Sequence, residues 1–402
     1  MPPTPASTAP TQPEGRIAFH TPLKLPDDPR PSGDRRMARL LMQALSARGF
    51  DPVLASRSTT RLGAQATDRQ AAVIAAAVRE ADALIAAWRD HPPGAWITYH
   101  SYYKAPDLLG PRVSAALDIP YILIEASHAT KRLMGPYQPY ATQAEAAIRH
   151  ADLILQPNPE DIGAVEPLLK AGAQQLMFPA FLDIAPYAQA RQGRGATRAA
   201  LAQAHAINPD SCWLIAAAMM RSGSKQSSYA LLADALSRLG TAPEWTLLVA
   251  GDGPAEAAVR TALGPHASVK FLGRLEADAL AALYAAGDLF VWPALKEAYG
   301  FALLEAQAAG LPALIGDRPG PRSLVAPGES AALVPEGDAA AFATALGGLL
   351  HDSWKRAEMG VAAQANCAAH HDLGPAAARL HALLGGLGVA PSEVSPPSAV
   401  SK

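Results

Sequence analysis

The chain has 402 residues, half of them hydrophobic and 17% charged, which is enough apolar material for large cores and too little charge for a disordered protein. Lys and Arg number 34 against 36 Asp and Glu, a formal net charge of −2, so the basic surplus of a protein that wraps a nucleic-acid backbone is missing. The two cysteines, Cys212 and Cys367, form neither a metal spacing nor a disulfide framework, and they fit a reducing, cytoplasmic compartment.

The chain opens on a Pro-rich stretch, 1–14, that has no apolar run and reads as a disordered tail rather than a signal peptide. From residue 15, short runs rich in β-branched and aromatic residues alternate with longer Ala-rich runs of helical period. Strands are expected at 16–21, 52–56, 96–100, 120–125, 152–156 and 175–179, with helices at 34–48, 68–88, 143–149 and 159–171. The pattern then breaks over 183–195, where Gly, Gln and Arg accumulate. It resumes with strands at 212–219, 245–250, 269–272, 289–292, 313–316 and 331–334, and helices at 229–239, 255–263, 277–285, 301–309 and 339–350. A helical stretch, 353–387, and a second Pro/Ser tail, 389–402, close the chain.

Strand–helix alternation at this spacing predicts an α/β protein of parallel sheets covered by helices on both faces. Twelve strands exceed the roughly ten that an open twisted sheet accommodates. Two doubly wound, Rossmann-like domains are therefore expected, 15–186 and 197–352, with 187–196 as linker. The helical segment 353–388 is expected to cross back toward the first domain. Doubly wound sheets bind ligands at the carboxyl ends of their strands, and the unusual residues follow strands. They include Gly33 and Asp34, His100, His128, Arg221 to Lys225, Gly251-Asp-Gly253, Gly273-Arg274 and Glu297. Two such edges facing one another would line a central cleft.

Three segments of the second half carry the chemistry. In Pro293-Ala-Leu-Lys-Glu297-Ala-Tyr299-Gly300-Phe301-Ala302-Leu-Leu-Glu305, a buried strand ends, Gly300 permits a sharp turn, and a helix begins at about Phe301. Its tip offers free N–H groups to an anion. Glu297 and Glu305 would flank that anion and meet hydroxyls rather than phosphate, because like charges repel. Alone, the pair is equally well read as a helix-dipole glutamate and a solvated one. Arg221 and Lys225 place two cations in one loop at a strand's carboxyl end, which suits an anionic ligand, although exposed loop charges are commoner. Gly251-Asp-Gly253-Pro254-Ala-Glu256 lacks the third glycine and the acidic strand end of a dinucleotide fingerprint, so it reads as a turn into a helix.

Together, in this order, these segments resemble the donor half of a retaining GT-B glycosyltransferase of family 4. The resemblance includes Phe271-Leu-Gly273, Ala286-Gly-Asp288, the Glu297–x7–Glu305 pair, Ala306-Gln-Ala-Ala-Gly310-Leu-Pro312 and Ala332-Leu-Val-Pro-Glu-Gly-Asp338. It is strong over 216–350 and weaker before, through 21–34, Ile119-Pro-Tyr121 and His150-Ala-Asp152. It implies a GT-B architecture and a nucleotide-diphosphate sugar as donor, with no bound cofactor. Arg221 and Lys225 would grip the diphosphate, Glu297 the donor sugar, and Tyr299, Gly300, Phe301 and Ala302 the sugar or diphosphate through backbone N–H groups. Glu305 would bind the ribose, and Gly273, Arg274 and Leu275 would border the base. Gly33 and Gly253 are further substrate-binding candidates. The usual Gly-Arg is Met220-Arg221 here, the usual Lys-Gly is Lys225-Gln226, and Gly320-Pro321-Arg322 lacks the family's acid.

Glycosyl transfer builds positive charge on the sugar and negative charge on the departing phosphate, so fixed positive potential at that phosphate is the main lever. The sequence has no persuasive Asp-x-Asp at a strand end; Glu276-Ala-Asp278 reads as a helix N-terminal charge pair. Metal independence is therefore expected. The first domain should hold the acceptor, whose nature is open, with His100 and His128 as candidates at the reaction centre. Each is also readable as a hydrogen-bonding structural residue. His370-His371-Asp372 reads as a helix end with solvated histidines. Arg35, Arg36, Arg39, Lys131 and Arg132 form basic patches that would suit peripheral contact with an anionic membrane surface on the inner face. The alternatives are a non-catalytic nucleotide-sugar-binding subunit and a GT-B-fold epimerase.

Overall fold

The computed structural model describes residues 15–392 apart from Pro31 and Pro265, and for Gln65 the backbone only. The leading tail and most of the trailing one lie outside these residues. The expected disorder of 389–392 is corrected: Val389 is buried, beside Gly94, and the Ser392 N–H donates to the Gly49 carbonyl at 3.0 Å.

The chain divides into two compact units, 15–178 with 376–392 and 179–375. The first contains β1 (Arg16–His20), α1 (Gly33–Ser46), β2 (Asp51–Leu54), α2 (Gln70–Trp88), β3 (Ala95–Ser101), α3 (Gly110–Leu117), β4 (Tyr121–Ala126), α4 (Gln138–His150), β5 (Leu153–Gln156), the one-turn α5 (Ile162–Val165) and β6 (Gln174–Met177). Its sheet is parallel throughout, in the order β2-β1-β3-β4-β5-β6. The central strands read as near-continuous apolar runs, Tyr121-Ile-Leu-Ile above all, because helices cover both faces.

The second unit follows with α6 (Ala185–Gln192), α7 (Arg194–His205), β7 (Cys212–Ala217), α8 (Ser224–Ser237), β8 (Trp245–Ala250), α9 (Glu256–Leu263), β9 (Val269–Gly273), α10 (Ala277–Ala286), β10 (Leu289–Trp292), α11 (Phe301–Ala308), β11 (Ala313–Asp317), the one-turn α12 (Pro319–Arg322), β12 (Ala331–Pro335), α13 (Ala339–His351) and α14 (Ser353–His370). Its parallel sheet runs β12-β11-β10-β7-β8-β9. The helix α15 (Leu373–Gly386) closes the chain and passes into the first unit at Ala376.

In both sheets the winding reverses direction at one place. In the first unit it lies between β1 and β3, and in the second between β7 and β10. These switch points, on the carboxyl side of the strands, are where open α/β sheets take their ligands.

All twelve expected strands are present, and three helical expectations are corrected. Residues 187–196, expected as a linker, lie in α6 and α7 apart from Gly193 between them. Arg194 and Arg198, one turn apart, both reach Asp288, at 2.6 and 2.9 Å, and donate to the last carbonyls of α10. That capping of a helix C-terminus fixes α7 despite its glycines. The expected helix 159–171 is broken into short turns around Pro167, which has no N–H to continue it. The stretch 353–387 splits at His371. The Leu182 N–H donates to the His371 carbonyl and the Leu373 N–H to the Leu182 carbonyl, each at 2.9 Å, as in a parallel bridge. His371 is 2% exposed rather than solvated, and its Nδ1 lies 2.9 Å from the Ala180 carbonyl.

Candidate functional site

Two side-chain clusters occupy the two switch points. In the second unit, the loop after β7 carries Arg221, and the first turn of α8 carries Lys225. Gly223, at φ +88°, turns the chain into α8. The loop after β10 carries Glu297. The Lys225 ammonium pairs directly with Glu297 Oε2 and sits 5.3 Å from the centre of the Trp292 ring. The Trp292 indole N–H donates to the same oxygen at 3.3 Å. Lys225 and Glu297, 72 residues apart in sequence, thus meet in one ion pair. Arg221 is exposed, its guanidinium 3.0 Å from the Met219 sulfur.

The Glu297 loop is strained and pinned. Ala294 and Lys296 adopt left-handed backbone, φ +55° and +51°, which is costly for residues with a Cβ and persists only where the surroundings enforce it. Three neighbours do so. Ser228 Oγ on α8 accepts from the Leu295 N–H at 3.1 Å, Glu336 after β12 accepts from the Lys296 N–H at 2.8 Å, and Arg318 after β11 donates to the Glu297 carbonyl at 3.1 Å. Arg318 and Glu336 also pair, at 3.1 Å. Gly300, φ +109°, then starts α11, and Tyr299, Gly300, Phe301 and Ala302 lie half-buried at its first turn. Sequence reasoning missed Trp292, Arg318 and Glu336.

Glu305 is 6% exposed and accepts from the Tyr284 hydroxyl of α10 at 2.9 Å. It is therefore as much a packing residue between α10 and α11 as a member of the loop cluster. Gly253 has a structural account of its own. A Cβ there would stand 2.4 Å from the Met220 carbonyl oxygen, and one on Gly251 would stand 2.1 Å from that of Ala218. The two glycines let the loops after β7 and β8 lie against each other, where Met220 N–H donates to the Asp252 carbonyl at 2.7 Å. Arg274 is exposed at the end of β9, 3.4 Å from Glu276, and Leu275 is half-buried beside it.

In the first unit, His100 and Glu125 each lie one residue before the end of their strands, β3 and β4, both with left-handed backbone, φ +61° and +62°. His100 Nδ1 lies 3.2 Å from Asp34 Oδ1 and 3.2 Å from Glu125 Oε1. Asp34 also pairs with Lys24, whose ammonium donates to the Ser32 hydroxyl at 2.9 Å. Ser32 holds the N-cap position of α1, and the Asp34 carboxylate turns to the cluster. Burial pulls the His100 imidazolium down, but the Glu125 and Asp34 carboxylates outweigh it and raise its pKa. Burial likewise disfavours the Asp34 carboxylate, yet His100 and Lys24 hold it well below the ordinary range. Burial and the Glu125 charge push Asp161 up to about 6.

His128 is placed elsewhere, with Nε2 3.9 Å from Glu145 and 3.4 Å from the Thr130 hydroxyl. Gly33 is exposed at the first turn of α1. The basic patch on α1 is corrected in part. Arg35 is buried and bonded to Asp28 at 2.9 Å, and Arg39 donates to the Pro26 carbonyl at 2.7 Å. Both hold the loop before α1 in place. Arg132 lies 4.7 Å from the centre of the Tyr103 ring, and Lys131 is exposed. Among the described residues no group of three His, Cys, Asp or Glu converges as a metal site, and no helix is long and apolar enough to cross a membrane.

Residues 213–352 match the family of glycosyl transferases group 1. That span contains β7 through α13 and therefore the Lys225–Glu297 cluster. Over 133 residues the chain is 38% identical to a GDP-mannose-dependent phosphatidylinositol monomannoside mannosyltransferase of Corynebacterium glutamicum, covering 31% of this chain and 34% of that one. A D-inositol 3-phosphate glycosyltransferase of Salinispora tropica is 40% identical over 103 residues, 26% and 21% of the two chains. The chain spans about a third or less of these relatives' length. The whole chain is similar in fold to Anabaena HepE in complex with UDP, with TM-score 0.70 at 17% identity over 92% of this chain and 100% of that one. It is also similar to a glycosyltransferase from Rickettsia africae, with TM-score 0.71 at 12% identity over 93% and 98%. The two parallel six-stranded sheets fit the two-domain, Rossmann-like GT-B fold.

Proposed function

We propose that this chain is a glycosyltransferase that moves a sugar from a nucleotide-diphosphate sugar to an acceptor, with retention at the anomeric carbon and without a metal. The observation that carries the reading is the Lys225–Glu297 pair at the β7/β10 switch point, inside the segment shared with the group 1 transferases.

In this reading the donor diphosphate lies against Arg221, Lys225 and the tip of α11. As the anomeric C–O bond breaks, the electron pair passes to the departing phosphate, and these fixed positive groups stabilise it. One preorganised donor of this kind contributes about 3–4 kcal/mol. Glu297 cannot face the phosphate without repulsion, so it takes sugar hydroxyls, and its contact with Lys225 sets the spacing between sugar and phosphate. Glu305, fixed by Tyr284, stands beside the ribose, and Arg274 and Leu275 border the base. His100 or His128 serves the acceptor side, where a retaining reaction at the front face of the sugar lets the leaving phosphate take the acceptor proton. No step needs a cofactor, and a cytoplasmic protein, in peripheral contact with a membrane if its acceptor is a lipid, fits this chemistry.

Turnover of a panel of UDP-, GDP- and ADP-sugars by the purified chain tests the reading. Donor hydrolysis or transfer that survives EDTA supports it. Tight nucleotide binding with no turnover of any donor would favour a binding subunit, and reversible loss with chelator would remove metal independence.

A further inference from the structure

The second unit's sheet has charged groups at both ends. Lys225 and Glu297 follow β7 and β10, at the carboxyl edge, whereas Gly287 and Asp288 precede β10 and Pro312 precedes β11, at the amino edge. At the amino edge a cavity of about 180 Å³ is lined by Arg191 of α6, Arg194 of α7, Asp288, and Ser353 and Arg356 of α14. Three guanidinium groups thus share one small space, and Asp288 is the one acid in its lining. That acid is already engaged. Its Oδ1 accepts from Arg194 at 2.6 Å, and its Oδ2 accepts from Arg198 at 2.9 Å and from the Trp213 N–H at 2.8 Å. The half-buried Arg191 and Arg356 reach backbone carbonyls with Nη1 alone, Arg191 that of Ala309 at 3.5 Å and Arg356 those of Leu349 and Leu350. Their Nε and Nη2 groups have no hydrogen-bond partner among the described residues. Asp352, the next acid along the chain, caps α14 by accepting from the Lys355 N–H at 2.8 Å and stays out of the lining. Burial and the Arg194 charge pull the Arg191 pKa below its ordinary value, and Asp288 offsets only part of that.

We infer that this amino-edge cavity is a phosphate site, in which Arg191, Arg356 and the Ser353 hydroxyl bind a tetrahedral dianion, either inorganic phosphate or the phosphate of a monoester. The N–H pairs of a guanidinium match two oxygens of such an anion, and a charged acceptor makes the bonds short and strong. Arg194, held by Asp288 and the carbonyls of α10, adds positive charge rather than hydrogen bonds. The lining contains no aromatic side chain to stack a base, so the group recognised is the phosphate itself and not a nucleotide. The site stands at the other end of β10 from the Lys225–Glu297 pair, and the inference is independent of the transferase reading.

Phosphorus NMR titration of inorganic phosphate into the full chain, in chloride at constant ionic strength, tests this, with Lys225→Ala as the control for the carboxyl edge. The expected result is saturable binding that survives Lys225→Ala and weakens at least tenfold in Arg191→Gln and in Ser353→Asp. The second variant sets a carboxylate at the cavity rim, where the start of a helix accepts an acid. Melting curves confirm that both are folded, and either one alone decides. Flotation with phosphatidylcholine vesicles, with and without phosphatidic acid, separates the sources of the phosphate. Capture that requires phosphatidic acid and is lost in Arg191→Gln supports the same site with a lipid carrying the group. Absence of both saturable phosphate binding and capture by phosphatidic acid overturns the site. So does phosphate binding that is lost in Lys225→Ala, or that either folded variant leaves unchanged.

Discussion

The two units solve the same geometric problem with different side chains. Each is a parallel sheet whose winding reverses once, and each places its unusual side chains where it reverses. In the second unit the edge presents Lys225 paired with one carboxylate, Glu297, and Arg221 exposed on the neighbouring loop. In the first it presents Asp34 and Glu125 around one imidazole, His100, with Lys24 paired to Asp34. Topology fixes where a ligand goes, and local charge decides which part of a ligand is tolerated there. The contrast extends to strain, since both edges hold non-glycine residues in left-handed backbone: Ala294 and Lys296 in one, His100 and Glu125 in the other. Such residues stay put only when neighbours over-determine them, as Ser228, Arg318 and Glu336 do for the Glu297 loop.

The comparison can be broken most sharply at the cationic edge. Lys225→Ala should lower donor turnover about 10²- to 10³-fold, the range for losing one preorganised stabiliser of developing negative charge. Its melting temperature should barely move, because a partly exposed ion pair contributes little to stability. Steady-state kinetics and a melt on the same preparation check both.

Glu305→Ala should behave differently. It leaves the Tyr284 hydroxyl buried without its acceptor, so a loss of about 1–3 kcal/mol is expected in urea unfolding, with Glu305→Gln recovering most of it. An unchanged midpoint for Glu305→Ala would return this residue to a purely ligand-facing role.

Acid separates the units by sign. Burial drives His371 down to about 4. The unfolded chain, with a histidine near 6.5, binds more protons between those values. The second unit should therefore lose stability as pH falls from 6.5 toward 4, by up to about 3 kcal/mol from this group. Asp161, pushed up to about 6, works the other way. Its folded form holds the proton more tightly, so its contribution to the first unit improves as pH falls through 6. Urea unfolding at pH 7 and pH 4.5, with His371→Gln and Asp161→Asn, reads the two slopes. His371→Gln should flatten the acid loss, and Asp161→Asn should remove the acid gain. Equal slopes in the variants and the natural chain would contradict the assignment.

Much of this was legible in the sequence, for a physical reason. Strands buried on both faces must be nearly all apolar, so the twelve runs stood out from Ala-rich helices. The Glu297–Glu305 spacing with Gly300 between them announced a strand–turn–helix junction. The hidden part depends on partners distant in sequence. Arg194 looks like a linker charge, and Arg198 like a surface charge beyond it, until Asp288 is placed beside them. His371 looks solvated until the Ala180 carbonyl arrives. Asp34 looks like one more residue at the start of a helix until His100 and Lys24 converge on it.

The central claim is a nucleotide-diphosphate site at the carboxyl edge of the second unit, held by Lys225. Isothermal titration of UDP, GDP and ADP into the natural chain and Lys225→Ala tests it directly. The account predicts that at least one nucleotide binds and that the substitution weakens it tenfold or more without loss of fold. Binding that is equally tight in both proteins, or absent for all three nucleotides in a folded natural chain, would contradict it.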